Sequence, residues 1–142
     1  PAAIDQLAEA LTASSADMAT LASPLNSHDD MLNTNVVKVV TDARSEALYF
    51  SRAAIPFERD GNQQGMADSM QHIGLYAYRT QFLRAYQTWN ETGLEKIEQL
   101  EQLRALYYGA RILVSILPDH HSPGVDTIED LEKVRELIGC YD

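Results

Sequence analysis

The sequence predicts one α/β domain, in which strands and helices alternate along the chain. Runs of β-branched and aromatic residues are separated by segments whose apolar residues recur at helical spacing. The 142 residues, 45% of them hydrophobic, are enough to bury one sizeable core. The last apolar strand is followed by a loop and a helix, which is the order found where α/β folds place ligand sites at strand ends.

The first fifty residues predict a helix, a strand and a β-hairpin. A helix over residues 2–14 is predicted by apolar residues at helical spacing, namely Ile4, Leu7, Ala8 and Leu11. Met18 to Ala22 is a short predicted strand, and Asn35 to Thr41 and Ala47 to Ser51 predict the hairpin. Lys38 interrupts the first hairpin strand. We expect it to keep its ammonium group in water, with a role in a site as the alternative.

The rest of the chain predicts a loop at residues 60–71, then strands and helices in turn. His72 to Arg79 and Ile112 to Leu117 are the predicted strands. Gln81 to Thr88 and Leu94 to Tyr108 predict helices, the second with an apolar stripe of Leu94, Ile97, Leu100, Leu103, Leu106 and Tyr107. A last helix is expected from about Thr127, where Thr127 and Asp130 have capping-box spacing, with a buried face of Leu131, Val134, Leu137 and Ile138.

Charge and cysteine content narrow the expected partners and location. The formal net charge of −10 and the pI near 4.7 argue against binding nucleic acid or an anionic membrane, so a small molecule or another protein is expected. Cys140 is the only cysteine and cannot form an intrachain disulfide. The sequence shows neither a membrane-length apolar run nor a signal peptide, so we expect a cytoplasmic protein.

Two arginines predict a site for a small anion. Arg52 follows the second hairpin strand where the chain turns, and Arg59 comes after Pro56, which restricts the backbone. Two planar guanidinium groups that converge on a carboxylate orient it as well as neutralise it. The alternative is that both arginines lie on the surface and pair with Glu58 and Asp60.

The strand after the loop predicts a polar face next to these arginines. His72 and Tyr76 lie on one face of this strand, opposite Ile73, Leu75 and Ala77. Gly74 removes a side chain between them, and mixed donors and acceptors suit sugar hydroxyls. The alternative is a half-buried strand face with packed tyrosines.

Three further residues are weaker candidates. Glu101 and Gln102 could exchange hydrogen bonds with vicinal hydroxyls, although the surrounding charged residues also fit a solvated helix face. Asp126 follows the last predicted strand and could bind Mg²⁺ or simply start the last helix. The sequence has no glycine-rich phosphate loop and no serine or cysteine nucleophile motif, so these residues alone predict ligand binding and no reaction.

Four segments of the chain occur in a characteristic order: NVVKVVTDARSEALYFSRAAIPFERD, HIGLYAYRTQFLRAYQTW, LEKIEQLEQLRALYYGARI and PGVDTIEDLEKVREL. In this order they resemble the C-terminal part of the 3-deoxy-manno-octulosonate (KDO) cytidylyltransferases, or CMP-KDO synthetases. The resemblance implies a Rossmann-like nucleotidyltransferase fold with a mixed sheet. It also implies a cytoplasmic, homodimeric bacterial enzyme of lipopolysaccharide biosynthesis.

The resemblance implies a reaction and a set of site residues. CTP and KDO would give CMP-KDO and pyrophosphate, with Mg²⁺ as cofactor, by attack of the anomeric hydroxyl of KDO on the α-phosphorus of CTP. The residues implied to line the sugar-acid site are Arg52, Arg59, His72, Tyr76, Glu101 and Gln102, and Asp126 is implied to bind the metal. No residue of this chain is assigned a direct catalytic role.

The family pattern extends beyond this sequence. A CTP-binding half would precede the position of Pro1, so residues 1–142 are expected to form the sugar-acid-binding and dimerisation part and to be inactive alone. One alternative is a cytidylyltransferase for another keto sugar acid, such as sialic acid. The other is a non-catalytic sugar-acid-binding or oligomerisation module.

Overall fold

The computed structural model describes residues 2–60, 68–118 and 128–139. The strands are β1 (Met18–Pro24), β2 (Lys38–Thr41), β3 (Ala47–Ser51), β4 (Met70–Tyr78) and β5 (Ile112–Ile116). The helices are α1 (Ala2–Ala13), α2 (His28–Leu32), α3 (Thr80–Tyr86), α4 (Gly93–Glu98), α5 (Gln102–Tyr107) and α6 (Ile128–Gly139).

The five strands form one mixed sheet in the order β3-β2-β4-β1-β5. Strand β1 pairs antiparallel with β4 and parallel with β5, while β2 pairs antiparallel with both β3 and β4. Six of the seven residues of β1 are buried, because the strand has a neighbour on each side and packed side chains on both faces. The predicted α/β class with a mixed sheet is confirmed.

The two faces of the sheet carry separate hydrophobic clusters. On one face, Leu7 and Leu11 of α1 pack with Leu21, and Ile73, Leu75 and Ala77 of β4 pack against them. On the other face lies the larger cluster, to which Tyr76 packs and which includes Met18, Val39, Phe50, Phe82, Leu103 and Ile112. The predicted alternation of the two faces of β4 is therefore confirmed, and its polar face adjoins the larger cluster.

The predicted helix from Leu94 to Tyr108 is instead two helices, so the expectation of one continuous stripe was wrong. Thr92 and Glu95 form a capping box that starts α4, and Gln99 ends it in the left-handed conformation with φ of 56°. The helical phase restarts after this break. Leu103 is consequently buried, whereas Ile97 is 82% exposed.

Other boundaries differ by a few residues, and one short element was missed. Strand β2 begins at Lys38 rather than Asn35, and the unpredicted α2 is capped by Ser27, whose Oγ accepts from the N–H of Asp30 at 3.1 Å. Leu131 of α6 is 36% exposed, contrary to its predicted burial, and the predicted cap Thr127 lies outside the described residues. Within the described ranges, every helix is too short or too polar to cross a membrane.

Candidate functional site

His72 lies on the polar face of β4 in a largely apolar setting. Its ring meets Phe50 of β3 edge-on, with 5.0 Å between ring centroids, and lies 5.3 Å from the ring of Tyr76. Its Nε2 atom is 2.9 Å from the hydroxyl oxygen of Thr20 on β1. Burial lowers the pKa of His72 to about 4, so the imidazole is neutral near pH 7.

A bulge in β4 separates His72 from Tyr76. Thr20 pairs with Tyr76, but the next residue, Leu21, pairs with Ile73, so β4 contains two residues more than β1 at this point. One of them is Gly74, which is exposed, and a Cβ atom there would meet nothing within 4 Å. The space beside Gly74 is therefore open, and the close approach of a ligand there stays a prediction.

A row of aromatic rings continues from His72 toward the helices. Tyr76 stacks on Tyr78 with 5.8 Å between centroids, and Tyr78 stacks on Phe82 of α3 at 6.0 Å. Burial raises the pKa of the Tyr76 hydroxyl, and the neighbouring Tyr78 and the Glu101 carboxylate raise it further. Tyr76 therefore stays protonated at neutral pH and can donate a hydrogen bond.

The row continues from Phe82 to Tyr86, with 5.6 Å between ring centroids, and the turn between α4 and α5 brings Glu101 to Tyr86. The hydroxyl of Tyr86 donates to the backbone oxygen of Glu101 at 3.2 Å, and the Glu101 side chain is exposed. Gln102 is 7% exposed, and its buried Nε2 has no hydrogen-bond partner among the described residues. A buried donor without a partner costs free energy. An acceptor atom of a ligand that bound Nε2 of Gln102 would remove this cost.

Arg52 is half-buried and bound to backbone oxygens, an arrangement that the sequence did not predict. Its guanidinium donates to the carbonyls of Glu98 at 2.8 Å, Thr34 at 3.1 Å and Gln99 at 3.5 Å. These bonds use three of the five N–H groups of a guanidinium, which leaves two for an anion. Through Glu98 and Gln99, Arg52 is fixed to the same turn that carries Glu101.

Two residues hold Arg52 in place: Glu98, which sequence reasoning missed, and Lys38, for which a role in a site was the alternative. The carboxylate of Glu98 accepts from the Ser51 hydroxyl at 2.7 Å and from the backbone N–H of Arg52 at 2.9 Å. Lys38 is fully buried, and its ammonium donates to the carbonyls of Asn33, Val36 and Arg52 at 2.6 to 2.8 Å. The expectation that Lys38 keeps its charge in water was wrong, because three carbonyls replace the water. The sequence signal for this role was that Lys38 is the one charged residue in an otherwise apolar strand.

The other predicted site residues are not assembled in the described part of the chain. Arg59 is exposed, and Asp126 lies outside the described residues. Among the described side chains, no group of three or more His, Cys, Asp or Glu could hold a metal ion. An open depression of about 340 Å³ adjoins Glu101. Glu91 and Glu95 also line it and outnumber Lys96, the basic residue in its lining, so the depression does not suit an anion.

Comparison with known proteins identifies the family. The cytidylyltransferase family model matches residues 1–112. The chain is 52% identical over 144 residues to the 3-deoxy-manno-octulosonate cytidylyltransferase of Vibrio vulnificus (strain CMCP6), covering 99% of this chain and 57% of the relative. It is 51% identical over 142 residues to the protein of the same name from Aliivibrio fischeri (strain MJ11), covering 97% of this chain and 57% of that relative.

A solved structure agrees with these relatives. The structure of CMP:2-keto-3-deoxy-manno-octonic acid synthetase complexed with CTP matches with a TM-score of 0.84 and 36% sequence identity. The match covers 97% of this chain and 55% of that chain, so the sequence spans little more than half the length of these relatives. The cytidylyltransferase family model covers well over half of the 142 residues, and the chain therefore belongs to the cytidylyltransferase family.

Proposed function

We propose that the chain is the sugar-acid-binding part of a cytidylyltransferase that couples CTP to KDO and releases CMP-KDO and pyrophosphate. The named relatives carry this activity in their names, and the solved relative was complexed with CTP. The observation that supports the proposal most is the polar face of β4, where the neutral ring of His72 lies 5.3 Å from the ring of protonated Tyr76. The Glu101 carboxylate is near enough to raise the pKa of Tyr76.

This group of side chains fits the chemistry of a sugar acid. Hydroxyl groups need both donors and acceptors, which His72, Tyr76 and Glu101 supply, and the unpaired amide of Gln102 adds a donor. The two remaining N–H groups of Arg52 suit the carboxylate. In this proposal these residues orient the sugar acid for attack through its anomeric hydroxyl, and none of them is assigned as the base.

Further parts of the proposal rest on the family resemblance. Arg59 is proposed as a second group for the carboxylate and Asp126 as a ligand of Mg²⁺, which neutralises phosphate charge when bound. The homodimer, the cytoplasmic location and the role in lipopolysaccharide biosynthesis are proposed on the same ground. Exposed apolar side chains such as Phe57, 86% exposed, are compatible with a dimer contact. Sedimentation velocity would measure the oligomeric state.

A binding experiment on the 142-residue chain tests the sugar-acid site. Calorimetric titration with KDO should show binding, and Tyr76→Phe should weaken it about tenfold, because one hydroxyl donor is lost while the ring remains. Tyr107→Phe is the matched control, since this tyrosine is 63% exposed on α5. Equal or tighter binding of sialic acid, or no binding of KDO, would overturn the assignment of the substrate.

A further inference from the structure

We infer that Thr20 is a positioning residue, which fixes the proton of His72 on Nε2 and leaves Nδ1 as the acceptor for a sugar hydroxyl. Thr20 is fully buried on β1. Its hydroxyl oxygen lies 2.9 Å from His72 Nε2, 2.9 Å from the carbonyl oxygen of Leu75 and 3.2 Å from that of Ile73. The part of the inference that concerns the sugar rests on the proposed function.

The direction of these hydrogen bonds follows from the single hydroxyl proton. A carbonyl oxygen can only accept, so the two carbonyls need the proton of Thr20. If that proton pointed at His72 instead, the hydroxyl oxygen would face two carbonyl oxygens at 2.9 and 3.2 Å with no hydrogen between them. The hydroxyl therefore donates to the carbonyls and accepts from Nε2–H, which makes Nδ1 the unprotonated nitrogen.

The bulge in β4 creates this arrangement. Because Gly74 and Leu75 are additional residues, the carbonyls of Ile73 and Leu75 both face one β1 residue. Thr20 satisfies them and at the same time anchors the histidine that begins the bulged segment. A hydrogen bond to one ring nitrogen is the usual means by which proteins select the tautomer of a functional histidine.

The surroundings of the ring agree with a neutral, fixed imidazole. Phe50 of β3 contacts it edge-on, Tyr76 of its own strand packs at 5.3 Å, and Thr20 bonds its Nε2, so these three contacts restrict rotation of the ring. Of Phe50, Tyr76 and Thr20, the three partners of the ring given above, Tyr76 is the titratable one, and burial lowers the pKa of the imidazole. None of these three partners carries a charge at neutral pH, so the hydrogen bond to Thr20 determines which ring nitrogen is protonated.

Long-range ¹H–¹⁵N spectra of the 142-residue chain test the inference, with His72→Gln used to assign the ring signals. Wild-type His72 is expected as the Nε2–H tautomer at neutral pH. Thr20→Val, which keeps the shape and loses the hydroxyl, should produce a mixture of tautomers and weaken KDO binding about tenfold. Thr20→Ser should retain the tautomer and the affinity.

The outcomes separate this inference from the proposed function. An Nδ1–H tautomer in the wild type, or an unchanged tautomer in Thr20→Val, overturns the role of Thr20. If the tautomer responds as expected but wild-type chain binds no KDO, the positioning role stands and the substrate assignment fails. If Thr20→Val does not fold, the wild-type tautomer and the Thr20→Ser spectra decide the question, since loss of the Nε2–H signature in Thr20→Ser contradicts the inference.

Discussion

At His72, the surroundings of one ring determine both its chemistry and its effect on stability. The ring has apolar contact with Phe50 and one hydrogen bond to the Thr20 hydroxyl, and its pKa falls from 6.5 to about 4. The folded chain therefore resists protonation of a residue that the unfolded chain protonates readily. Such a difference between the two states makes stability depend on pH.

The sign of this dependence can be predicted. Between pH 6.5 and about pH 4 the unfolded chain binds one proton more at His72, so the stability contributed by the neutral ring is complete above pH 6.5 and is lost as the pH falls. Urea denaturation at about pH 7.5 and about pH 5.5 should show a loss of about 1.4 kcal/mol from this residue, since one pKa unit corresponds to about that free energy.

The control is His72→Gln, which keeps an amide donor near Thr20 and does not titrate. Its unfolding free energy should fall less than that of the wild type over the same pH interval, because His28, His120 and His121 are present in both chains. Identical pH dependence in the two proteins would mean that His72 titrates alike in the folded and unfolded states.

At the level of secondary structure, an ion pair between Glu95 and Arg104 joins the short helices α4 and α5. The carboxylate of Glu95 accepts two hydrogen bonds from Arg104 of α5, one of them at 2.8 Å, and closes the capping box by accepting from the N–H of Thr92 at 3.2 Å. Arg104 also lies 4.8 Å above the Tyr86 ring. Hydrogen bonding from Arg104 is the main cause that lowers the pKa of Glu95.

Glu95→Gln should destabilise the chain by about 2 kcal/mol, because a mostly buried guanidinium would lose its counter-charge. Glu91→Gln is the control: Glu91 pairs with Lys96 at 3.3 Å, and both side chains are more than 60% exposed. Loss of the Glu91–Lys96 pair should lower the free energy of unfolding by less than about 0.5 kcal/mol. Chemical denaturation measures the free energy of unfolding of both variants. A similar decrease in the two would show that the Glu95–Arg104 pair stabilises the chain no more than an exposed ion pair does.

The same helices show why periodicity predicts some elements and not others. The hairpin strand Ala47–Ser51 was predicted with its observed bounds, since a short run that contains the aromatic residues Tyr49 and Phe50 is a local signal. In the segment from Leu94 to Tyr108 the apolar spacing favours one continuous helix. The left-handed conformation of Gln99 divides it, and apolar spacing does not reveal that break. Because of this break, Glu101 lies in the turn between α4 and α5.

For the molecule as a whole, the residue types of the candidate site could be predicted, but their partners could not. His72 and Tyr76 share a face because strands alternate, which is visible in the sequence. The partners of Arg52 lie 18 and 46 or more residues away, and the three carbonyls around Lys38 come together only in the folded chain. The assignment of these residues to a sugar acid remains a prediction.

Most of the described basic side chains bind oxygen atoms of the chain itself. In the described part of the chain, seven basic side chains bind the chain's own carbonyls or carboxylates: Lys38, Arg44, Arg52, Arg79, Lys96, Arg104 and Arg111. A nucleoside triphosphate needs several positive groups or backbone donors that converge on its phosphates. With a net charge of −10, this chain repels such a ligand unless charge is focused locally.

The 142-residue chain alone is therefore expected to bind KDO without converting CTP. Pyrophosphate release from CTP and KDO should stay at background, while the Vibrio vulnificus relative, assayed in parallel, is the positive control. A chimera that joins this chain to the part of that relative which it does not cover should regain turnover, because the similarity spans 57% of the relative and leaves the remainder to supply the triphosphate site. Robust turnover by the 142-residue chain itself would contradict the expectation. A folded chimera that binds CTP and KDO but forms no CMP-KDO would contradict the proposed reaction.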